Sequence, residues 1–443
     1  MASIAGALRR IKRDPLGVIK RRIIEQACHE SGYRWRRREL DPVNTIKSFV
    51  QQVIHGNAPC SEVRHIVGRS FTASAYCQAR ARLPLSVYQT ILASVCDAAM
   101  AYTKKRDHLW RGHRTFHIDG STFSMPDTPE LVEAFGVPTG QTPGCGFPVA
   151  HLLVLFSAAT GLLLDAWASP LHTGDLTQTP EAHLHLHEGD VLIGDDSFGS
   201  YVHLALLLRA NLHGLFPVHH ARTVNFSPHR PQAHRNDDAT TGMPHSQWIR
   251  SLGNDDQLAR YFKPKTKPRW MDQQTFDQLP ESIVVRELRR TSASGNVLTM
   301  VTTLIDSIAY PTGAVLELRV HRWDVETNLG HLKTTMEMDV LRCKSEDGIR
   351  KELVIFCLVY NLVRVVMLES ARRQSVPARR ISFADTLKWL RHARPNDTLP
   401  RLMINPSRPH RIEPRCRKRR PKKYDLMTKP RHQLRAALKN SWK

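Results

Sequence analysis

Three acidic residues stand where carboxylates can carry out chemistry together. Asp119 ends the apolar segment FHID, and Asp195 ends a second apolar segment, VLIGD. Because sites in open sheets are built where strands end, these two aspartates are candidates for one site. Glu326 lies farther along, in the segment LRVHRWDVETNLGHLK, which we expect to be helical. Three converging carboxylates can hold two divalent cations, which activate an attacking oxygen and stabilise a leaving oxygen in phosphodiester chemistry.

Magnesium is the cation that such a site favours. Hard carboxylate oxygens bind Mg²⁺ and leave positions open for water and a substrate phosphate. We therefore expect two Mg²⁺ ions, with Mn²⁺ as a substitute. The chain has no GxxxxGK[ST] sequence, so no nucleotide cofactor is implied.

The segment around Glu326 also carries two basic residues at helical spacing. Arg322 lies four residues before Glu326 and Lys333 lies seven residues after it, which would place all three on one face of a helix. In that arrangement Glu326 faces the cations while Arg322 and Lys333 face DNA phosphates. An ordinary Arg–Glu pair on a solvated helix, with a lysine nearby, explains the same spacing.

These segments resemble the DDE insertion-sequence transposases of the cut-and-paste group, which carry a β-rich insertion before their glutamate. HIDGSTFSMPDTPELVEAFG is similar to the region around that family's first aspartate, and GDVLIGDDSFGSY to the region around its second. The stretch from RWDVETNLGHLK to YNLVR is similar to the region around its glutamate. The resemblance covers most of the chain.

The glutamate region fits the family's signature at three of four positions. The signature is Tyr, two residues, Arg, three residues, Glu, six residues and Lys, and Arg322, Glu326 and Lys333 match it. Arg319 stands where the family has its tyrosine, which is thought to help position DNA. An arginine at this position can still contact a phosphate.

Two neighbouring aspartates compete for the second catalytic position. The family usually has Asp, Arg, Gly and Phe in this loop. Aligning Phe198 with the family's Phe selects Asp195 and places Asp196 at the arginine position. Asp195 also follows Gly194 directly at the end of the apolar segment. Two further acids near the strands, Asp165 and Asp175, are interpreted as turn or cap residues.

The resemblance implies a ribonuclease-H-like mixed sheet flanked by helices, interrupted by a β-rich insertion, with a helical DNA-binding region before it. It implies an enzyme that cleaves transposon-end DNA and joins it to target DNA, working as a homodimer on DNA. Two alternatives stay open. One is a metal-dependent nuclease that cuts without joining, and the other is a catalytically silent DNA-binding derivative of a transposase.

Composition supports a polyanionic partner. Lys and Arg number 64 against 41 Asp and Glu, a formal charge of +23. Such a charge favours nucleic acid, because neutralising phosphates releases counterions. The eight cysteines form no CxxC pair, and the apolar segment Val354–Met367 is interrupted by Asn361 and Arg364. We therefore expect a cytoplasmic, nucleoid-associated bacterial protein that does not enter a membrane.

The N-terminal part is basic and predicted to be helical. The segment FTASAYCQARARLP (71–84) begins with the cap-type residue Thr72, carries Arg80 and Arg82 near its end, and stops at Pro84. A short helix ending in arginines can enter a major groove, so both arginines are candidate DNA contacts. An ordinary solvated helix face is the alternative.

Changes in composition divide the chain into five regions. Residues 224–281 are rich in Pro, His, Asn, Asp and Gln, and predict a loop-rich insertion. One helix is predicted from about Gly313 to about Met338, and a second over Lys351–Ser370. The regions are a helical DNA-binding region (1–110), the first part of the catalytic core (111–223), the insertion (224–281), the second part of the core (282–380) and a basic, partly disordered C-terminal region (381–443).

Overall fold

The structure is a computed structural model. It describes residues 19–102, 109–140, 142, 144–219, 222–228, 246–291, 295, 297–320, 323–393, 398–406 and 429–441. The charged run 415–423, for which we predicted disorder, lies outside these residues, as do most of the arginines and lysines at the N-terminus.

Five helices lie in the described residues before the first strand. Side-chain caps fix the starts of two of them: Asp41 accepts a hydrogen bond from the amide of Asn44 (2.7 Å), and Thr72 accepts one from Ala75 (3.1 Å). The helix predicted within residues 71–84 is confirmed. The helices are α1 (Arg21–Glu30), α2 (Pro42–Ile54), α3 (Cys60–Val67), α4 (Ala73–Arg82) and α5 (Leu85–Tyr102).

A single sheet of nine strands organises the rest of the described chain, in the order β3-β2-β1-β4-β5-β9-β8-β7-β6. The strands are β1 (Thr115–Ser124), β2 (Val149–Ser157), β3 (Leu163–Pro170), β4 (Val191–Ile193), β5 (His213–Pro217), β6 (Ser246–Gly253), β7 (Asp256–Phe262), β8 (Ser282–Thr291) and β9 (Val297–Thr302). β1 pairs antiparallel with β2 and parallel with β4, and β4 pairs parallel with β5. The predicted mixed sheet is therefore confirmed.

Helices cover both faces of the sheet. Short helices and turns connect the strands: α6 (Pro129–Phe135), α7 (Thr179–His183), α8 (Tyr201–Arg209) and α9 (Gln273–Asp277). Phe116 and Ile118 of β1 pack with Leu204 of α8, on what we call the α8 face. Phe123 packs with the helix after the sheet, α12 (Glu346–Gln374), on the α12 face.

The insertion is more regular than its composition predicted. β6 and β7 fall within it and join the same sheet through β8, so the loop-rich interpretation is wrong for residues 246–262. The edge strand β6 is partly exposed, whereas β7 is largely buried. The buried polar residues Asp256 and Gln257 of β7 are hydrogen-bonded to Arg286 and Glu287 of β8, so few aliphatic residues are needed. Residues 229–245 of the insertion lie outside the described part.

The segment that carries Glu326 is helical but not a uniform α-helix. It comprises α10 (Thr312–Val320), α11 (Trp323–Gly330) and a π-helical turn, His331–Thr335. The end predicted near Met338 comes slightly earlier, because Glu337 has a left-handed φ of 64°. Residues 321–322, which include Arg322, lie outside the described residues.

Helix α12 forms the centre of the protein. It is longer than the predicted span Lys351–Ser370 and lies almost wholly inside the fold. Its length and hydropathy would suit a membrane span, but its apolar window is 94% buried by the protein itself. Asn361 donates to the carbonyl of Leu163 (2.7 Å), which ties the helix to β3. Two further helices follow, α13 (Phe383–His392) and α14 (Arg431–Ser441).

Candidate active site

The two candidate aspartates lie near the point where the parallel strands β1 and β4 stop pairing. Asp119 does not end its strand, as its sequence suggested, because β1 continues through it to Ser124, paired with β2. Asp195 lies in the loop two residues beyond the end of β4. β1 pairs with β4 in the register Thr115–Val191, Phe116–Leu192 and His117–Ile193. Extending this register by two residues brings Asp119 level with Asp195. Alternation along β1 sends Asp119 to the α12 face and its neighbour Gly120 to the α8 face.

The loop after β4 fixes the backbone of Asp195. Asp195 caps a 3-10 turn, Asp196–Phe198: its Oδ1 accepts hydrogen bonds from the amide of Ser197 (3.0 Å) and from Ser197 Oγ (2.6 Å). A Cβ on Gly194 would lie 2.7 Å from the ring of Phe198, so a residue without a side chain is needed there. The register and the cap both favour Asp195 over Asp196.

Glu326 lies across the same face of the sheet as Asp119. Val325 and Leu329 of α11 are buried in the core cluster that contains Phe123 and Val154 of the α12 face. Glu326 itself is exposed. The third carboxylate is therefore accessible on the face toward which β1 directs Asp119.

Lys333 contacts the strand that carries Asp119. Its Nζ donates to the hydroxyl of Ser121 (2.9 Å), two residues beyond Asp119 on the same face. Burial lowers the pKa of Lys333 below its ordinary value of 10.5, and nearby Asp339 opposes that shift. The π-helical turn alters the angular relation that uniform α-helical spacing predicted between Glu326 and Lys333.

The remaining candidate arginines are less closely tied to the site. Arg322 lies outside the described residues, so its side chain is not placed. Arg319 ends α10 and is half-buried. Its DNA contact and that of Arg322 stay predictions.

The two arginines of α4 have different surroundings. The guanidinium of Arg80 lies 3.9 Å from the centre of the Phe49 ring, donates to Gln52 (2.9 Å) and reaches the thiol of Cys343 (2.9 Å). These contacts favour a structural role for Arg80. Arg82 is exposed, beside Gln78. The DNA contacts predicted for both stay predictions.

Three polar residues beside the aspartates were missed as site residues. Asp175 lies against Gly120, hydrogen-bonds to His151 (2.6 Å), and is 3.4 Å from Ser197 Oγ. It does start a turn, Asp175–Gln178, as predicted, but its carboxylate does not cap that turn. The glycine after Asp119 was the available signal, since glycine often marks the close approach of another group.

The donor set suits a divalent cation. Asp119, Asp195 and Glu326 offer only hard carboxylate oxygens, the ligands that Mg²⁺ prefers. In the part of the chain that the structure describes, no three His, Cys, Asp or Glu side chains are grouped so that they could hold a metal ion.

This sheet and this set of acids define a class of DNA-processing enzymes, and comparison with known families agrees. Residues 110–362 match the family model described as "Transposase DDE domain". The chain therefore belongs to the DDE transposase family. This membership makes it an enzyme of DNA transposition whose partner is DNA.

Two bacterial relatives show where the chain falls among transposases. It is 25% identical over 411 residues to the "Transposase InsG for insertion sequence element IS4" of Escherichia coli (strain K12), covering 88% of this chain and 84% of that protein. It is 27% identical over 148 residues to the "Putative transposase InsZ" of the same organism, covering 33% of this chain and 49% of that protein.

Among solved structures, the chain aligns with the cryo-EM structure of the piggyBac transposase synaptic complex with hairpin DNA. The TM-score is 0.42 and the sequence identity is 11%. The alignment covers 86% of this chain and 80% of that one.

Proposed function

We propose that this chain cleaves DNA at the ends of an insertion sequence and transfers the freed strands into target DNA by two-metal phosphodiester chemistry. The observation that supports the proposal is the parallel register of β1 and β4, because extending it two residues past the end of β4 brings Asp119 level with Asp195. Glu326 complements them from α11, across the same face of the sheet.

The carboxylates have a binding role and are not nucleophiles. Asp119, Asp195 and Glu326 would hold two Mg²⁺ ions, or Mn²⁺ in their place. When bound, the ions supply an activated attacking oxygen and charge stabilisation for the leaving oxygen. The protein contributes by fixing these side chains before DNA arrives, because catalysis of this kind depends on positioning and preorganised charge.

Basic side chains would hold the DNA backbone. Lys333 is beside Ser121, and Arg319 is in the last turn of α10, the helix before α11. Arg82 is exposed on α4, and the chain carries a formal charge of +23. Contacts of this kind make binding steeply dependent on salt, with affinity falling by orders of magnitude as salt rises.

The direct test is an assay with labelled insertion-sequence end DNA, a target plasmid and Mg²⁺. We expect cleaved ends followed by joined products, and loss of both in Asp119→Asn. Cleavage without joining would favour the nuclease alternative. DNA binding without cleavage in the unaltered protein would favour the silent derivative.

Assembly and location belong to the same proposal. We propose that the protein forms a homodimer that holds two transposon ends, and that it works on DNA in the bacterial cytoplasm. Light scattering with and without end DNA tests the first statement. A monomeric complex with one end at every protein concentration would contradict it.

A further inference from the structure

Asp175 lies against β1, the strand that carries Asp119, at the position of Gly120. A Cβ built on Gly120 would lie only 2.2 Å from Asp175 Oδ1 and 3.0 Å from its Cγ. Atoms that are not bonded do not approach this closely, so Asp175 can hold this position only while residue 120 lacks a side chain. Because side chains alternate along a strand, Asp175 lies on the α8 face, opposite Asp119.

Two side chains hold the carboxylate of Asp175. His151 on β2 lies 2.6 Å from its Oδ1 through Nε2, and Ser197 lies 3.4 Å from its Oδ2 through Oγ. His151 is itself within 3.4 Å of Ser169 Oγ on β3. Asp175 therefore connects the antiparallel strands β2 and β3 with the loop that carries Asp195.

Ser197 is the link from Asp175 to the second catalytic aspartate. Its Oγ donates to Asp195 Oδ1 at 2.6 Å, and its amide donates to the same oxygen at 3.0 Å. The hydroxyl hydrogen points mainly to Asp195 Oδ1, the nearer oxygen, and Asp175 Oδ2 accepts the longer branch of the same three-centre hydrogen bond. Both bonds from Ser197 to Asp195 use Oδ1, so Oδ2 can face a cation.

We propose that Asp175 is a positioning residue that, supported by His151, fixes Ser197 and thereby the orientation of the Asp195 carboxylate toward the metal. This inference rests on the proposed function, because it assumes that Asp195 is a metal ligand. Partners that orient a metal ligand commonly contribute about 10–100-fold to metal affinity.

Under this proposal, Asp175 and Ser197 act on Asp195 through the same hydrogen bond. Removing either should release the same bond to Asp195, so their effects should not add. A residue that only stabilises the fold would lower the unfolding temperature without this dependence. Gly120→Ala provides a second route, because the new methyl group must displace Asp175 while leaving its charge in the protein.

The experiment measures Mn²⁺ binding to the full-length chain by electron paramagnetic resonance, without DNA, together with thermal unfolding. Asp175→Asn and Ser197→Ala should each weaken binding about tenfold or more, and the double variant no more than the stronger single one. The matched control is Asp165→Asn, because Asp165 also pairs with a histidine, His185 (3.2 Å), but not with the Asp195 loop. That variant should bind Mn²⁺ as the unaltered protein does.

The outcomes separate this inference from the proposed function. If the unaltered protein and Asp195→Asn bind Mn²⁺ equally, the proposed metal site itself is wrong. If Asp195→Asn abolishes binding while Asp175→Asn and Gly120→Ala leave it unchanged, the metal site stands and the role of Asp175 is wrong. Additive effects of Asp175→Asn and Ser197→Ala would also overturn it. Should Asp175→Asn fail to fold, Gly120→Ala and Ser197→Ala decide the question.

Discussion

The aspartates and the glutamate are held by different kinds of structure. Asp119 is on β1, and Asp195 is in the loop after β4, the strand that pairs with β1. Asp195 caps the turn in this loop, and the turn ends in the buried Phe198. Glu326 is exposed on a helical segment that reaches the sheet through side chains at its two ends. We call these parts the aspartate half and the glutamate half.

The start of the glutamate half is tied to the insertion. Arg286 on β8 is fully buried and forms a bidentate ion pair with Asp256 on β7. Asp256 also accepts a hydrogen bond from Thr312 (2.6 Å), the first residue of α10, and Arg286 donates to the carbonyl of Tyr310 (2.6 Å). The sheet therefore sets the aspartates directly, whereas the position of Glu326 depends on the insertion.

The largest expected effect separates the two aspartates of the loop. Asp195→Asn should reduce cleavage by about 1000-fold or more, because losing a metal ligand raises the barrier by roughly 4 kcal/mol. Asp196→Asn, its neighbour, should keep activity within a few-fold. The measurement is single-turnover cleavage of labelled end DNA. Equal losses in both variants would contradict the register argument for Asp195.

The second-largest expected effect concerns the ion pair between Arg286 and Asp256, which holds the start of the glutamate half. Arg286→Met leaves Asp256 buried without its cation and should lower the free energy of unfolding by about 3 kcal/mol. Arg290→Met, on the exposed end of the same strand, is the matched control. Urea unfolding measures both. A surface substitution usually changes the free energy of unfolding by less than about 0.5 kcal/mol. A change of that size in Arg286→Met would contradict the statement that the glutamate half depends on the insertion.

Acid should destabilise the aspartate half. Burial lowers the pKa of His203 from 6.5 to about 4 and, together with the neighbouring His203, that of His183 to about 3. The unfolded chain therefore takes up protons that the folded protein does not, and stability falls as pH drops from 6.5 toward 4. We expect a loss of between about 2 and 3 kcal/mol from His203 alone, since one pKa unit corresponds to about 1.4 kcal/mol.

The variant His203→Asn tests this acid sensitivity. An asparagine amide can still donate to the carbonyl of Phe198, which His203 contacts through Nδ1 (2.8 Å), but it does not titrate in this range. The slope of unfolding free energy against pH should become flatter between pH 6.5 and 4. The exposed His187→Asn should leave the slope as it is. An unchanged slope in His203→Asn would contradict the assignment.

The smallest expected effect lies in the glutamate half and is a gain of stability at alkaline pH. Because burial lowers the pKa of Lys333, the folded protein releases this proton at a lower pH than the unfolded chain. Stability should therefore rise as pH approaches 10.5, by less than about 1 kcal/mol for this half-buried group. Lys333→Met should lack that rise, whereas Met at the exposed Lys388 should retain it. Guanidinium unfolding from pH 8 to 10.5 measures the difference.

The features that were predicted correctly from the sequence are strands and helix starts that local patterns encode. The apolar runs before Asp119 and Asp195 predict strands, and the structure contains both as neighbours. The cap at Thr72 correctly predicts the start of α4. These signals depend on a few adjacent residues, which is why they could be found without knowledge of the fold.

Features that depend on distant partners were not predicted. Composition indicated loops in the insertion, and only the family resemblance predicted β structure there, because the buried polar residues of β7 depend on partners in β8. The partners of Arg80 from other segments, Phe49 and Cys343, could not be seen in the local pattern that made it a candidate DNA contact. Asp175 resembled a cap because its contact with Gly120 spans 55 positions of the chain.

The bond between Lys333 and Ser121 has a consequence for synthesis of the protein. It joins residues 212 positions apart, so it can form only after the ribosome has made most of the chain. Domains usually fold from the N-terminus as they emerge. A nascent chain that has folded both aspartates still lacks Glu326 and helix α12. A product truncated before residue 326 therefore carries two of the three proposed metal ligands, which makes cutting DNA the last ability that this chain acquires.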